Sequence, residues 1–358
     1  MKFRVVGVVI ACLLVATSAI SPASAGPVRT ASSDAGLFGS SDPTYDGVYR
    51  QSYALMGLMG AGADVPDSAI AWLVEQQCAD GSFMGYRADT SVPCPPSDPA
   101  TYTGPDTNST ALALAALTIT GNGQDAELAA VAAQDWLRQQ QTRGGGFPYF
   151  AGGAADTNST GLAIAALGLI DGTKRVRQHA SRYLRRTVYG CTAEPVQVGG
   201  LPYMAGSLPD ALSTTQGLLG LADAFALVPR TQRKAAPKVI CDSAGRPTDA
   251  SSATARWIAA QITASRGWLP NAFAPGEADW NSTALGVIGL VATRTSGRAT
   301  TLAVAALTEN AEAYINDGTS DRPAALGTLT LAAIAASEDP RDFGGIDLPA
   351  RLLATLQK

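Results

Sequence analysis

The chain has 358 residues, 46% of them hydrophobic and 16% charged, with a net charge of −4. That apolar fraction supports a packed core and excludes disorder, and the acidic balance argues against nucleic acid as a general partner, which needs a basic footprint. A single histidine, His179, excludes most metal-ligating and acid–base constellations.

Residues 1–25 have the pattern of an export signal. Lys2 and Arg4 precede an apolar run from Val5 to Ala19, and Ala23-Ser24-Ala25 supplies the small-residue cleavage site. Cleavage near Ala25 predicts a secreted protein with 24 basic and 30 acidic residues, and no later apolar run reaches spanning length. Residues 26–44 are expected to be a flexible lead-in, and 45–358 one helical domain. Four cysteines remain after cleavage, an even number that favours disulfides outside the cytosol. The most local pairing joins Cys78 to Cys94 and Cys191 to Cys241, with free buried thiols as the alternative.

From residue 46 two kinds of predicted helix alternate. Residues 46–61 are apolar all round, a buried pattern, whereas 66–78 carry one stripe of Ile70, Leu73, Val74 and Gln77. The buried kind returns at 107–120, 157–170, 211–227, 280–293 and 323–336. The amphipathic kind returns at 125–141, 174–189, 249–264, 298–316 and 346–357. Each amphipathic helix follows a buried one, as the inner and outer walls of an all-α (α/α)6 toroid would.

Two sequence patterns repeat in phase with the helices. One is Trp72-Leu73-Val74-Glu75-Gln76-Gln77 followed by Gly81-Ser82-Phe83. It returns as Trp136 to Gln141 with Gly144 to Phe147, as Trp257 to Gln261 with Gly267-Trp268, and in degraded form as Tyr183-Leu184 with Gly199-Gly200-Leu201. The other is Asp106-Thr107-Asn108-Ser109-Thr110, which returns at Asp156 to Thr160 and, with Trp280 in second place, at Asp279 to Thr283. Asp210 opens a weaker copy. Asp, Asn, Ser and Thr in this cluster mark helix starts, because their side chains accept hydrogen bonds from first-turn N–H groups.

The W-L-x-x-x-Q…G-x-F/W segments resemble the QW repeats of squalene–hopene cyclase and related terpenoid cyclases. With the D-T-N-S-T helices, residues 45–357 are similar to the α/α-toroid superfamily, which includes protein prenyltransferase β subunits and transcobalamin-type carriers. The resemblance implies a toroid and leaves its activity open.

Short connections lead from inner to outer helices, and long ones (79–105, 142–155, 190–210, 265–278) lead back. Alternating helix direction therefore gathers the long loops at one mouth. Asp106, Asp156, Asp210 and Asp279 are expected on its rim, with Asn108, Asn158 and Asn281 a step deeper. Phe147, Tyr149, Tyr203, Trp268 and Trp280 are expected as the aromatic lining. In this layout a Cys191–Cys241 bridge requires residues 228–248 to climb back about 22 Å, the length of an outer helix.

Several chemistries are missing. There is no Asp-x-Asp-Asp acid of the class II cyclases, no Asp-rich magnesium motif, and no zinc set of Asp, Cys and His. His179 lies on a basic outer helix and is expected at its surface or boundary. The run Lys174, Arg175, Arg177, Arg182, Arg185 and Arg186 is expected to be a solvated face. Helix N-termini favour ionised carboxyls, which argues against a rim aspartate as a general acid. The expectation is a non-catalytic exported binding protein without metal or cofactor. It would take a small apolar or amphipathic ligand, or an envelope-protein segment, at the mouth. The alternatives are a cyclase- or prenyltransferase-like enzyme with an atypical acid, and a cobalamin-type carrier lacking its second domain.

Overall fold

The computed structural model describes residues 34–358 apart from 122, 226–235, 237, 275 and 296. The proposed export signal lies outside the described residues. Elements run in chain order as α1 (Gly47–Gly60), α2 (Asp67–Glu75), α3 (Thr107–Thr120), α4 (Gln124–Gln140), β1 (Phe147–Pro148), β2 (Ala155–Asp156), α5 (Thr157–Leu167) and α6 (Lys174–Thr187). They continue as α7 (Ala211–Leu221), α8 (Ala250–Ala264), β3 (Leu269–Pro270), β4 (Ala278–Asp279), α9 (Trp280–Ala292), α10 (Gly297–Glu309), α11 (Ala311–Ile315), α12 (Pro323–Ala336) and α13 (Leu348–Ala354).

The inner wall is α1, α3, α5, α7, α9 and α12, each packed on the next, with α12 returning to α1. These helices are buried on all sides, as in Ala111 to Leu117 of α3. Small residues bring their backbones together: Gly161 of α5 lies against the Gln216 carbonyl of α7, and Gly327 of α12 against that of Tyr53. Neighbours run in the same sense, since Gly286 and Gly289 of α9 meet Thr215 and Leu218 of α7 in that order. Each inner helix is backed by the outer helix that follows it, and α6 buries only Ala180 and Leu184. The strands are two short hairpins at inner-helix starts, β1 against β2 and β3 against β4. No helix among the described residues is long and apolar enough to cross a membrane.

The expected helix spans differ from the observed ones where side chains compete with the ladder. The helix expected over 298–316 is divided at Asn310, whose backbone N–H and side-chain amide both donate to the Ala306 carbonyl. Helix α7 stops at Leu221, and the last two residues of its expected span lie outside the described ones. Helix α13 ends at Ala354 because the chain turns to pair with residues 36–39.

That pairing moves the domain boundary. Leu37 and Phe38 are buried, Gly36 N–H donates to the Gln357 carbonyl and Gly39 N–H to that of Thr355, both at 2.9 Å. Residues 36–39 thus belong to the toroid, which the sequence starts at 45. Both disulfides form, Cys78–Cys94 and Cys191–Cys241. Cys191 N–H donates to the Gly245 carbonyl, so residues 241–247 do fold back onto the loop after α6.

Candidate functional site

The D-T-N-S-T copies assign a task to nearly every side chain. In α3, Asp106 accepts from Ser109 N–H at 2.8 Å and from the Ser109 hydroxyl at 2.7 Å. Thr110 Oγ1 donates to the Asp106 carbonyl and accepts from Phe83 N–H, holding the preceding loop in place. Thr107 reaches the following loop: its hydroxyl donates to the Pro148 carbonyl at 2.6 Å and its N–H to that of Tyr149. Helix α5 repeats this with Asp156, Ser159, Thr160 and Thr157, the last bound to Pro202 and Tyr203. Asp210 and Asp279 cap α7 and α9 through Ser213 and Ser282. The four aspartates therefore stand at one end of the inner wall.

The third residue of the motif has a side-chain partner in only one of its three asparagine copies. Asn281 Oδ1 accepts from the Tyr314 hydroxyl at 3.1 Å. The equivalent Oδ1 atoms of Asn108 and Asn158, on the adjacent helices α3 and α5, are buried and accept nothing. In the α7 copy the place is taken by Leu212. Buried carbonyl oxygens are rarely left without a donor, so these two, like Gln216 Oε1 and Tyr53 Oη on the inner wall, are polar atoms that the fold leaves unsatisfied.

Aromatic side chains gather beside them. Tyr149 and Phe150 meet edge to face with centroids 4.5 Å apart, and Tyr102 lies 5.3 Å from Tyr149 and 5.4 Å from Phe150. Burial pushes the Asp106 carboxyl up to about 6, outweighing the hydrogen bonds from Ser109. Asp156 is pushed up to about 6 for the same reason. The downward shift expected at helix starts is thus reversed in sign by desolvation, although carboxyls titrating near 6 are still mostly ionised at pH 7. Tyr149 feels both carboxylates, and its phenol is held far above its ordinary value chiefly by burial. Tyr203, near Asp156, is pushed up to about 12, again mainly by burial. On the α9 side, burial pushes Tyr49 up to about 12 while Asn281 hydrogen-bonds to it.

The expected lining needs two corrections. Phe147 is fully buried, and its N–H donates to Thr160 Oγ1, so it is a wedge between repeats. In the α9 repeat Leu269 makes that contact with Thr283, which leaves Trp268 one place outside the wedge and half-buried. Tyr149, Tyr203 and Trp280 keep partial exposure. Tyr102, Tyr49 and Tyr314 complete the mouth and were not singled out from the sequence. The position of Tyr102, four residues before a cap, was the available signal. His179 is half-buried, with the Gly145 loop seated on its carbonyl. Among the described residues no three His, Cys, Asp or Glu side chains are grouped to hold a metal ion.

Residues 48–189, spanning α1 to α6, match the prenyltransferase alpha-alpha toroid domain. No curated protein matches the chain in sequence. Among solved structures it is similar to the type II terpene cyclase MstE from Scytonema, with a TM-score of 0.53 and 13% identity over 84% of this chain and 93% of that one. It is similar to ent-copalyl diphosphate synthase from Streptomyces platensis, with a TM-score of 0.51 and 17% identity over 81% of this chain. That alignment covers only 50% of the synthase. A reducing end xylose-releasing exo-oligoxylanase also shares the architecture, with a TM-score of 0.50 and 14% identity over 86% of this chain and 87% of that one. The repeat and the doubled ring of helices give this chain the α/α-toroid fold, and residues 48–189 within it match the prenyltransferase alpha-alpha toroid domain.

Proposed function

We propose that the mouth at the starts of α3 and α5 is a non-catalytic binding site for a small amphipathic molecule. A hydroxylated or amino head donates to Asn108 Oδ1 and Asn158 Oδ1, and the apolar part rests on Tyr102, Tyr149 and Tyr203. The observation that carries this reading is the pair of unpartnered buried carbonyls on adjacent helices, where the third copy is satisfied by Tyr314. Asp106 and Asp156 set the backbone from which these asparagines project, and Asp210 and Asp279 cap the neighbouring helix starts of the rim. A variant of MstE has been solved with geranylgeranyl dihydroxybenzoate, whose name joins a prenyl chain to a hydroxylated head. A ligand of that type has the two chemistries the mouth offers. The two disulfides support a working place outside the reducing cytosol, in keeping with the proposed export signal.

The raised Asp106 and Asp156 carboxyls favour a second reading, a general acid. Against it, both oxygens of each already accept hydrogen bonds from Ser109 or Ser159. A carboxyl spent in this way is a cap before it is a proton donor, so binding is the function the geometry supports better.

The test is a titration with geranylgeraniol, followed by intrinsic fluorescence, beside the matching hydrocarbon. Binding of the alcohol and its loss in an Asn108→Leu, Asn158→Leu variant that keeps its unfolding midpoint support the site. Equal binding of alcohol and hydrocarbon, or no effect of the variant, would reject it.

A further inference from the structure

Helix α6 is unlike the other outer helices. Its fourteen residues carry Lys174, Arg175, Arg177, Arg182, Arg185 and Arg186 and no acid. Its neighbour α4 fills the same place in the repeat with Asp125, Glu127 and Asp135 against one cation, Arg138. The toroid therefore does not need cations there. The packing contacts that α6 makes with the fold come from Val176, Ala180, Tyr183, Leu184 and the Val176 and His179 carbonyls.

Of the six cations, Arg177 pairs with Asp223 at 2.7 Å, and Arg186 donates to the Gly144 carbonyl while staying exposed. Lys174, Arg175, Arg182 and Arg185 are exposed and make no ion pair with the described residues. Their spacing, with Arg186, sets five cations along the outward side of one helix over about 18 Å. Lys174 and Arg175 also stand in the first turn, where the helix dipole disfavours positive charge, and no acid offsets them. A row assembled at this cost in a chain of net charge −4 calls for an anionic partner.

We propose that the outer face of α6 binds a linear polyanion bearing regularly spaced phosphate groups, laid along the helix axis. The preceding outer helix α4 exposes Asp125, Glu127 and Asp135, so the run of cations does not extend onto it and suits a narrow chain better than a broad anionic plane. A narrow chain follows the cations and avoids these acids. This inference is independent of the mouth, which lies on the inner wall.

The experiment uses the purified protein and inorganic polyphosphate, with affinity measured at about 50 and about 200 mM salt. Binding is expected at the lower salt, weakening steeply at the higher as counterion release requires. Arg175→Glu, Arg182→Glu and Arg185→Glu together are expected to lower affinity by about a hundredfold or more, on the scale of single-cation contributions at anionic surfaces. Arg182→Gln alone should lower it by about fivefold, which serves if the triple variant fails to fold. Arg298→Glu, on α10, should leave it unchanged. No binding, binding indifferent to the α6 substitutions, or tighter retention on anionic phospholipid vesicles than on polyphosphate would overturn the proposal.

Discussion

The side-chain amide of Gln77 donates to the carbonyl of Ala129, 52 residues further on, at 2.8 Å. The same nitrogen donates to the Gly81 carbonyl at 2.9 Å, so one glutamine joins its own loop to the next outer helix. Gln141 does the same with Gly145 and Val176. Gln77→Ala is expected to lose both bonds and leave two carbonyls poorly satisfied, costing about 1–3 kcal/mol. Thermal unfolding checks this, and a midpoint equal to the parent's would refute the stapling role.

Gly145 has φ +95°, and a Cβ there would lie 2.5 Å from the His179 carbonyl oxygen. Gly145→Ala is expected to destabilise by about 2–4 kcal/mol, combining backbone strain with the forced separation of loop and helix. Gly152, with φ +77° and open space around it, isolates the first contribution. Gly152→Ala should cost only about 1 kcal/mol. Equal losses in the two variants would show that the approach to α6 is not tight.

The buried caps give the fold a pH dependence. Asp106 and Asp156 titrate near 6 when folded, against about 3.9 for an unfolded aspartate. The folded state therefore holds these protons more firmly. The stability they contribute is complete below about pH 4 and is lost as the pH rises through 6, by roughly 2–3 kcal/mol for each carboxyl. Asp156→Asn keeps an oxygen for Ser159 N–H and removes the charge. Denaturant titrations of the variant from pH 4 to 7 should show a shallower decline than the parent, and a decline as steep would contradict the assignment.

Cys191 and Cys241 close a loop of 50 residues. On the chain-entropy model their bond contributes about 4 kcal/mol, against about 3 for the Cys78–Cys94 loop. Replacing the first pair by alanine should lower the unfolding midpoint more than replacing the second. The opposite order would mean that the folded-back segment holds without its bond.

Helix starts were legible because Asp106, Asp156 and Asp279 use local contacts, reaching only three or four residues ahead. Longer contacts were not legible. Tyr314 completes Asn281 from 33 residues away, and Gln357 donates to the Gly39 carbonyl across 318. The repeat aligns Trp268 with Phe147, yet Leu269 takes the place of Phe147 in the fold, because that place asks only for a large apolar side chain. The sign of the Asp106 shift depends on burial by neighbouring loops, which a helix-start rule does not contain.

The seam between residues 36–39 and 355–357 also governs how the toroid is made. An open stack of repeats can grow from one end, but here the last joint needs both flanks of the chain at once. During synthesis α1 waits for α12, which ends at Ala336, to cover its apolar flank, and residues 36–39 wait for 355–357. Such distant pairing gives slow, cooperative closure, and it makes the incomplete ring the species most in need of a chaperone.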